Sequence, residues 1–256
     1  MKRLQIFILS MLLTAALFAQ EQIQEPSKER SFPSFQLNGN FQVGIPLNDF
    51  RDNLDDIGFG AGVLFLTHLG DSPLAAGIEL SLMGYASESA EYIMRVGGFV
   101  KEYELRTSSN IFLGHAVVRF QPAVNAFIRP YFDGMIGFKN LFTSSTLTDL
   151  DNSEATESNT DESDWALSYG GAFGLQVHFS KTSNIVLDLR CAYLQGQNAS
   201  YLVRKQDPFG GFEYENPIDA FEEKTSATTL LLPQIGVTFK GLFNRTLQEE
   251  TPPDND

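Results

Sequence analysis

The chain contains 256 residues and carries a formal net charge of −14 at pH 7, from 32 acidic and 18 basic side chains. A chain this acidic repels the phosphate backbone, so its composition excludes a function in binding nucleic acid. Its single cysteine, Cys191, excludes an internal disulfide framework.

The amino terminus has the pattern of a secretory signal peptide. Lys2 and Arg3 precede an apolar run at 6–18, and Ala19 supplies a small residue for cleavage. The apolar run is shorter than the roughly 20 residues that a membrane-spanning helix needs, which disfavours a helical anchor. We therefore predict that the chain is exported and that the signal is removed.

Most of the remaining sequence alternates bulky apolar residues with small or polar ones, which is the period of a β-strand. The clearest example is a predicted hairpin in which Leu167, Tyr169 and Phe173 precede a polar turn, and Leu187 and Leu189 follow it. Its arms match the roughly 9–11 tilted residues with which a strand crosses a bilayer. In chain order, we predict eight strands at 35–45, 57–68, 74–85, 109–121, 126–140, two within 165–195, and 228–243.

The connections between these strands alternate in length. Short turns are predicted at 70–73, 122–125 and 180–184, and long segments at 86–108, 141–164 and 196–227. Outer-membrane barrels have short periplasmic turns and long outside loops, whereas a soluble sandwich has no reason to follow this rhythm. A lipocalin-like barrel would also turn its bulky row inward to line a cavity. We therefore predict an all-β fold, an eight-stranded antiparallel transmembrane β-barrel with short periplasmic turns and long extracellular loops.

The chain resembles the small outer-membrane β-barrel proteins of the OmpA/OmpX-like and Bacteroidetes-type families. The resemblance is carried by the signal peptide, by the glycine–aromatic strands GFGAGVLF (58–65) and RPYFDGMIGF (129–138), and by PQIGVTFKGLF (233–243). The last of these resembles a carboxy-terminal assembly signal, with Phe239 and Phe243 in its apolar row, although residues 244–256 follow it. The resemblance implies a bacterial outer-membrane location, contact with outer-membrane lipid and lipopolysaccharide, and insertion by the barrel-assembly machinery. It implies no activity.

Charged residues recur in the rows that the alternation directs into the barrel. Isolated buried charges are costly, so these side chains should be paired. The interior of an eight-stranded barrel is just wide enough for side chains to fill, which favours a salt-bridged plug over a conducting pore. The predicted lumen charge network consists of Glu79, Arg119, Arg129, Asp133, Asp188 and Arg190.

The histidines give no catalytic or metal-binding motif. His68, His115 and His178 are too dispersed for a zinc motif, and the residue two positions after His115 is Val117, so there is no His-x-Ser pair. A serine from another strand is not indicated by the sequence. We predict no catalytic residue, no metal and no cofactor.

Two of the long segments have distinctive compositions. The run TDLDNSEATESNTDESD (148–164) holds seven acidic residues and no basic one, and Glu154 and Thr160 stand where a calcium loop needs glycine and glutamate. We predict that this run is a solvated, mobile outside loop. The segment 196–227 contains aromatic residues that form either a contact surface or a lid over the barrel mouth. The candidates are Tyr201, Phe209, Phe212 and Tyr214.

The sequence thus favours a non-enzymatic outer-membrane protein that serves envelope structure and surface interaction through its loops. The alternatives are a narrow channel for small or apolar solutes, an accessory barrel of a secretion system, and a lipid-modifying enzyme. The predicted order is a signal peptide at 1–19, a periplasmic leader at 20–34, the barrel at 35–243 and an acidic periplasmic tail at 244–256.

Overall fold

A computed structural model describes residues 35–54, 56–70, 72–96, 99–122, 126–149, 156–179, 183–205 and 217–241. The predicted signal peptide, leader and acidic tail lie outside these ranges, so their boundaries remain predictions. Phe209, Phe212, Tyr214 and Phe243 also lie outside the described residues.

The described ranges are almost entirely β-structure. The ten strands are β1 (Phe35–Pro46), β2 (Gly58–His68), β3 (Leu74–Val96), β4 (Phe99–Phe120), β5 (Ile128–Asp149), β6 (Thr156–Val177), β7 (Ile185–Gly196), β8 (Asn198–Arg204), β9 (Phe221–Ala227) and β10 (Leu230–Lys240). A short helix, α1 (Asp49–Asn53), follows β1, and a 3-10 turn (Pro217–Ala220) precedes β9. No helix in the described part of the chain is long and apolar enough to cross a membrane.

Eight of these strands close into an antiparallel barrel, in the order β1-β10-β7-β6-β5-β4-β3-β2. The first and last strands seal it, with Leu37 opposite Phe239. The predicted eight-stranded antiparallel barrel is confirmed. Strands β8 and β9 form a separate two-stranded sheet. The sequence treated this segment only as a loop, because seven-residue strands leave little room for a visible alternation.

The alternation of side chains sorts apolar residues to the outside and polar residues to the lumen. In β1 the inward row is Gln36, Asn38, Asn40 and Gln42, all of which are buried. In β2, where both rows are apolar, Phe65 is 41% exposed on the outside whereas Leu64 and Leu66 are buried inside. The row that contains Phe65 is therefore the outward row of β2.

The barrel has two different ends. At the turn end, where residues 69–73, 121–127 and 178–184 connect the strands, the chain enters at β1 and leaves after β10. At the other end, the hairpin end, β3 to β6 continue far beyond their neighbours. They have 22 or 23 residues each, against 11 or 12 in β1, β2, β7 and β10.

The long strands correct two predicted loops. Residues 86–96 and 99–108 belong to β3 and β4, and Ser87 lies opposite Ser108 in register. Residues 141–149 and 156–164 belong to β5 and β6, so the acidic run is largely strand and not a mobile loop where it is described. Polar residues occur on both faces of much of these extensions, as in the pair Thr107–Ser145, whose hydroxyl oxygens lie 2.8 Å apart. Without an apolar face the period of two leaves no hydrophobic signal.

A lid covers the lumen at the hairpin end. The ring of Tyr201 in β8 packs edge-on against Phe50 of α1, with centroids 5.0 Å apart, and both side chains are buried. The hydroxyl of Tyr85 in β3 donates to the Leu202 carbonyl at 2.9 Å. On the other side, the Ser200 amide donates to the Asp164 carboxylate at 2.8 Å. The β8–β9 hairpin is therefore held between the extensions of β3 and β6.

Candidate functional site

The lumen of the barrel gathers charged side chains from four strands. Glu79 in β3, Arg119 in β4, Asp133 in β5, and Asp188 and Arg190 in β7 are all at most 6% exposed. Arg119 and Asp133 lie directly opposite each other in the β4–β5 register. The structure thus brings together five of the six residues predicted for the lumen network.

Asp133 is the centre of this network because it contacts both arginines. Arg119 donates two hydrogen bonds to it, from Nε to Oδ1 at 2.7 Å and from Nη2 to Oδ2 at 2.9 Å. The Nε of Arg190 lies 2.9 Å from Asp133 Oδ2. Arg190 also donates from Nη1 to Glu79 Oε1 at 2.7 Å. The result is a continuous chain, Glu79–Arg190–Asp133–Arg119, across the lumen.

Asp188 is held mainly by neutral donors. The Tyr131 hydroxyl donates to its Oδ1, and Gln176 Nε2 and Thr238 Oγ1 each donate to its Oδ2 at 3.1 Å. Its contact with a cation is more distant, 4.0 Å from Oδ2 to Arg119 Nη1. The carboxylate is therefore satisfied by hydrogen bonds, the arrangement that makes a buried charge tolerable.

Tyr131 also contacts Arg119 through the face of its ring. The Arg119 guanidinium lies 3.6 Å from the centroid of the Tyr131 ring, a cation–π geometry. Gly174 on β6 makes room for this ring, because a Cβ there would lie 2.1 Å from Tyr131 Cζ. A side chain at 174 would displace the tyrosine and, with it, the guanidinium.

Amide side chains extend the network toward β1. Arg190 Nη1 donates to Gln234 Oε1 at 2.9 Å, and Gln234 Nε2 donates to Gln42 Oε1 at 3.0 Å. Asn38 Nδ2 donates to Thr238 Oγ1 at 2.9 Å. Together with the ion pairs, these bonds connect side chains from seven of the eight barrel strands, which is the architecture of a plug.

The sixth predicted residue, Arg129, lies apart from the network. It is half-buried at the turn end of β5, and no described carboxylate forms a salt bridge with it. The reason is its position along the strand, four residues nearer the turn end than Asp133. Lys240 of β10 lies near the same end, with its Nζ 3.1 Å from His178 Nε2.

Sequence reasoning missed Lys139, which is fully buried. Its ammonium group donates to the Thr228 carbonyl and, at 3.4 Å, to the Leu194 carbonyl. The signal was available, because Lys139 falls in the same inward row of β5 as Asp133. Lys139 thus connects β5 to Thr228, the residue that follows β9, and positions the backbone there.

The structure supplies a serine for His115 that the sequence did not indicate. His115 Nε2 lies 2.9 Å from Ser168 Oγ on β6, and Glu79 is opposite His115 in the β3–β4 register. Both partners are at most 2% exposed, and Oε1 of Glu79 is held by Arg190. All three side chains are enclosed in the lumen, where the His115–Ser168 pair contributes to its packing.

The remaining site candidates divide between the lid and the exterior. Tyr201 is 2% exposed, and its hydroxyl lies 2.7 Å from Ser226 Oγ, so it belongs to the lid and is not available as a surface contact. Phe239 faces outward from β10. In the described ranges, no group of three or more His, Cys, Asp or Glu side chains is placed to hold a metal ion.

A lumen filled in this way should not conduct ions. We expect the folded chain to give no steady current in a planar lipid bilayer, because the ion pairs and amides leave no hydrated path through an eight-stranded barrel. The replacement of both arginines, Arg119→Ala with Arg190→Ala, should raise the open-channel current above that of the unmodified chain. A steady conductance of the unmodified chain would contradict the plug.

Comparison with known proteins gives structural likeness only. No protein-family model matches the chain, and no curated protein matches it. Among solved structures it is similar to neisserial surface protein A, with a TM-score of 0.39 and 9% identity over 82% of this chain and 99% of that chain. Ail, the attachment invasion locus protein of Yersinia pestis, gives 0.36 and 11% over 82% and 99%. A major outer membrane protein from Thermus thermophilus gives 0.36 and 11% over 80% and 98%. At these values the likeness carries no functional argument, and the barrel rests on the strand pairing described above.

Proposed function

We propose that this chain is a non-enzymatic outer-membrane β-barrel protein that acts by surface interaction, through the sheet that its four long strands extend beyond the barrel. The observation that carries the proposal is the difference in strand length. About ten extra residues in each of β3 to β6 correspond to roughly 30 Å of strand at about 3.3 Å per residue. None of that length is needed to close the barrel.

The exterior of the barrel supports a membrane location. Large apolar side chains face outward on every barrel strand, and a soluble monomer rarely exposes a continuous apolar surface of this kind. Examples are Phe41, Phe59, Ile78, Val118, Phe132, Ile136, Phe173, Leu189 and Ile235, each at least 39% exposed. In outer-membrane barrels the short turns face the periplasm and the long hairpins face outward, which supports a location of the extended sheet at the cell surface.

The membrane location has a direct test. A barrel of this type stays folded in SDS until it is boiled, so unboiled and boiled samples of the detergent-folded chain should migrate differently on a gel. Identical migration in both samples would contradict the proposal and indicate a soluble exported protein. Fractionation of the expressing cells then shows whether the heat-modifiable form is in the outer membrane.

The interaction surface that the geometry favours is one edge of the extended sheet. The β6–β7 pairing ends at Ser168 opposite Gly196, so β6 between 158 and 163 pairs only with β5 in the described structure. An unpaired edge offers its backbone donors and acceptors to another strand. This edge, residues 158–163, is acidic, with Asp161 and Glu162 in it and Asp164 beside it. It therefore fits an extended segment that carries positive charge.

Binding at this edge is tested with a short synthetic strand. We expect a fluorescent (Lys-Thr)4 peptide to bind the detergent-folded chain, and the same peptide with alternate N-methyl groups, which cannot complete a ladder, to bind at least tenfold more weakly. Asp161→Asn with Glu162→Gln should weaken binding and leave the heat-modifiable gel shift unchanged. As a matched control, the pair Glu222→Gln and Glu223→Gln changes two acids on β9 and should leave binding unchanged.

The contribution of the whole sheet is tested by shortening its hairpins in register. Replacing 88–107 by Asn-Gly joins Ser87 to Ser108, which already face each other, with a turn suited to a hairpin. Replacing 143–162 by Asn-Gly does the same for Phe142 and Ser163. Both variants should keep the heat-modifiable barrel, and the second, which removes Asp161 and Glu162 with most of the edge, should lose peptide binding. Unchanged binding in that variant would overturn the surface-interaction proposal.

A further inference from the structure

The turn end of the lumen carries a group of cationic and nitrogen-bearing side chains that the central network does not use. Arg129 lies opposite Gln176 in the β5–β6 register, and the His178 amide donates to the Phe127 carbonyl at 2.9 Å. Arg129 and His178 are therefore diagonal neighbours on the lumen face of adjacent strands, a separation of about 7–8 Å between backbones. Lys240 reaches the same place from β10, with Nζ 3.1 Å from His178 Nε2.

The two cations form no ion pair with a described carboxylate. No described carboxylate forms a salt bridge with Arg129 or Lys240. Arg129 repels Lys240, and Asp188 attracts it only from beyond ion-pair distance. The nearest acid in the lumen, Asp188, is already held by Tyr131 and other neutral donors. Two cations that are partly buried at the same end of the lumen repel each other and raise the free energy of the folded chain. An anion bound between them lowers it.

The hydrogen-bond pattern around His178 leaves a donor without a well-aligned acceptor. A lysine ammonium group only donates, so the Nε2 atom that faces Lys240 accepts and the ring proton resides on Nδ1. His178 is 9% exposed, and its Nδ1 forms no well-aligned hydrogen bond in the described structure, although the backbone carbonyls of Gln176 and Phe127 lie beside the ring. The Nε of Arg129 is buried and without a partner there. Buried donors are rarely left unsatisfied, so this end of the lumen lacks an acceptor.

We propose that Arg129, His178 and Lys240 form a binding site for a small oxyanion at the turn end of the lumen. An oxyanion accepts hydrogen bonds and carries negative charge, and it has enough oxygen atoms to meet donors from three directions. A phosphate and a carboxylate share this chemistry. The site needs only the barrel and does not depend on the surface-interaction proposal.

The anion has two possible sources, which the experiment separates. One is a free phosphate or carboxylate. The other is a carboxylate of the chain itself, from Asp71 between β2 and β3 or from the segment that follows β10. A five-amide variant removes these internal acids while leaving the site intact. It combines Asp71→Asn, Glu249→Gln, Glu250→Gln, Asp254→Asn and Asp256→Asn.

The test is calorimetric titration of inorganic phosphate into the detergent-folded full chain, at an ionic strength held constant with sodium chloride. We expect saturable binding to one site. Binding to the unmodified chain identifies a free oxyanion, and binding only to the five-amide variant identifies an internal carboxylate as the native occupant. Either result supports the site. As a second readout, phosphate should shift the ¹⁵N resonance of His178 Nδ1 and leave that of His115 unchanged.

The site variant is Arg129→Gln with Lys240→Gln, made in whichever chain binds phosphate. It should weaken phosphate binding at least tenfold and keep the heat-modifiable gel shift of a folded barrel. The matched control, Arg204→Gln, removes a cation that pairs with Glu88 at the hairpin end and should not change phosphate binding. The proposal is overturned if neither parent chain binds phosphate, or if the site variant binds it as tightly as its parent.

Discussion

Asp133→Asn should lower the free energy of unfolding of the barrel by about 3–5 kcal/mol, because it leaves two buried arginines without their shared counter-ion. Arg119 loses both of its hydrogen bonds to a charged acceptor, and Arg190 keeps Glu79 as its one carboxylate partner beside the neutral Gln234. Neither guanidinium can reach water from the filled lumen. The measurement is urea unfolding of the chain folded in lipid vesicles, followed by the fluorescence of Trp165.

The control for this variant is Asp161→Asn, which makes the same chemical change at an exposed position of β6. Its effect should stay within about 0.5 kcal/mol, as for other surface substitutions. A double-mutant cycle of Glu79→Leu and Arg190→Met should be non-additive by roughly 0.5–3 kcal/mol, since each change alone strands the other charge. If Asp133→Asn is no more destabilising than Asp161→Asn, the network does not hold the barrel together.

Tyr201→Ala should release the lid while leaving the barrel folded. The change removes a buried ring from contact with Phe50, and truncation of a buried aromatic costs about 3–5 kcal/mol. Since β8 and β9 pair only with each other in the described structure, this cost should appear as local opening. Amide hydrogen exchange should therefore accelerate in β8 and β9 and remain slow in β7.

Tyr201→Phe is the conservative partner of this variant. It keeps the ring and loses the hydroxyl, which lies 2.7 Å from Ser226 Oγ and accepts from Asn53 Nδ2 at 3.3 Å. The expected cost is about 1–2 kcal/mol, so exchange in β8 should be intermediate. Rapid exchange in β8 of the unmodified chain, as fast as in Tyr201→Ala, would show that the hairpin is not a closed lid.

The sequence predicted the barrel because most of its strands follow one rule at every second residue. Wherever a strand has apolar surroundings outside and a polar lumen inside, the alternation appears, as in Gln36 to Gln42 of β1. The inward row of β5 likewise predicted Asp133 and was sufficient to predict Lys139. The rule failed in the extensions of β3 to β6, where polar surroundings on both faces impose no alternation on residues such as Ser87 or Ser145.

The candidate site was predictable in its members and not in its contacts. The sequence assigned each charge to the lumen, but the partner of a charge depends on the stagger between strands that are far apart in the chain. Glu79 and Arg190 are separated by 111 positions and meet only when the barrel closes. Arg129 lies away from the central acids because it is four residues nearer the turn end than Asp133. The stagger between strands brings Ser168 next to His115, a contact that no local spacing indicates.

The sequence by itself determined the number of strands in the barrel and, outside the extensions of β3 to β6, the face that most of their residues occupy, because both follow from a local period of two. Only the tertiary structure decided which charges pair, where the strands end and what covers the lumen. Those features depend on closure, which fixes the relative heights of eight strands and hence the distances between their side chains. Tyr201 illustrates the difference. The composition of the segment 196–227 was compatible with either a contact surface or a lid, and the contact between Tyr201 and Phe50 shows that this residue belongs to the lid.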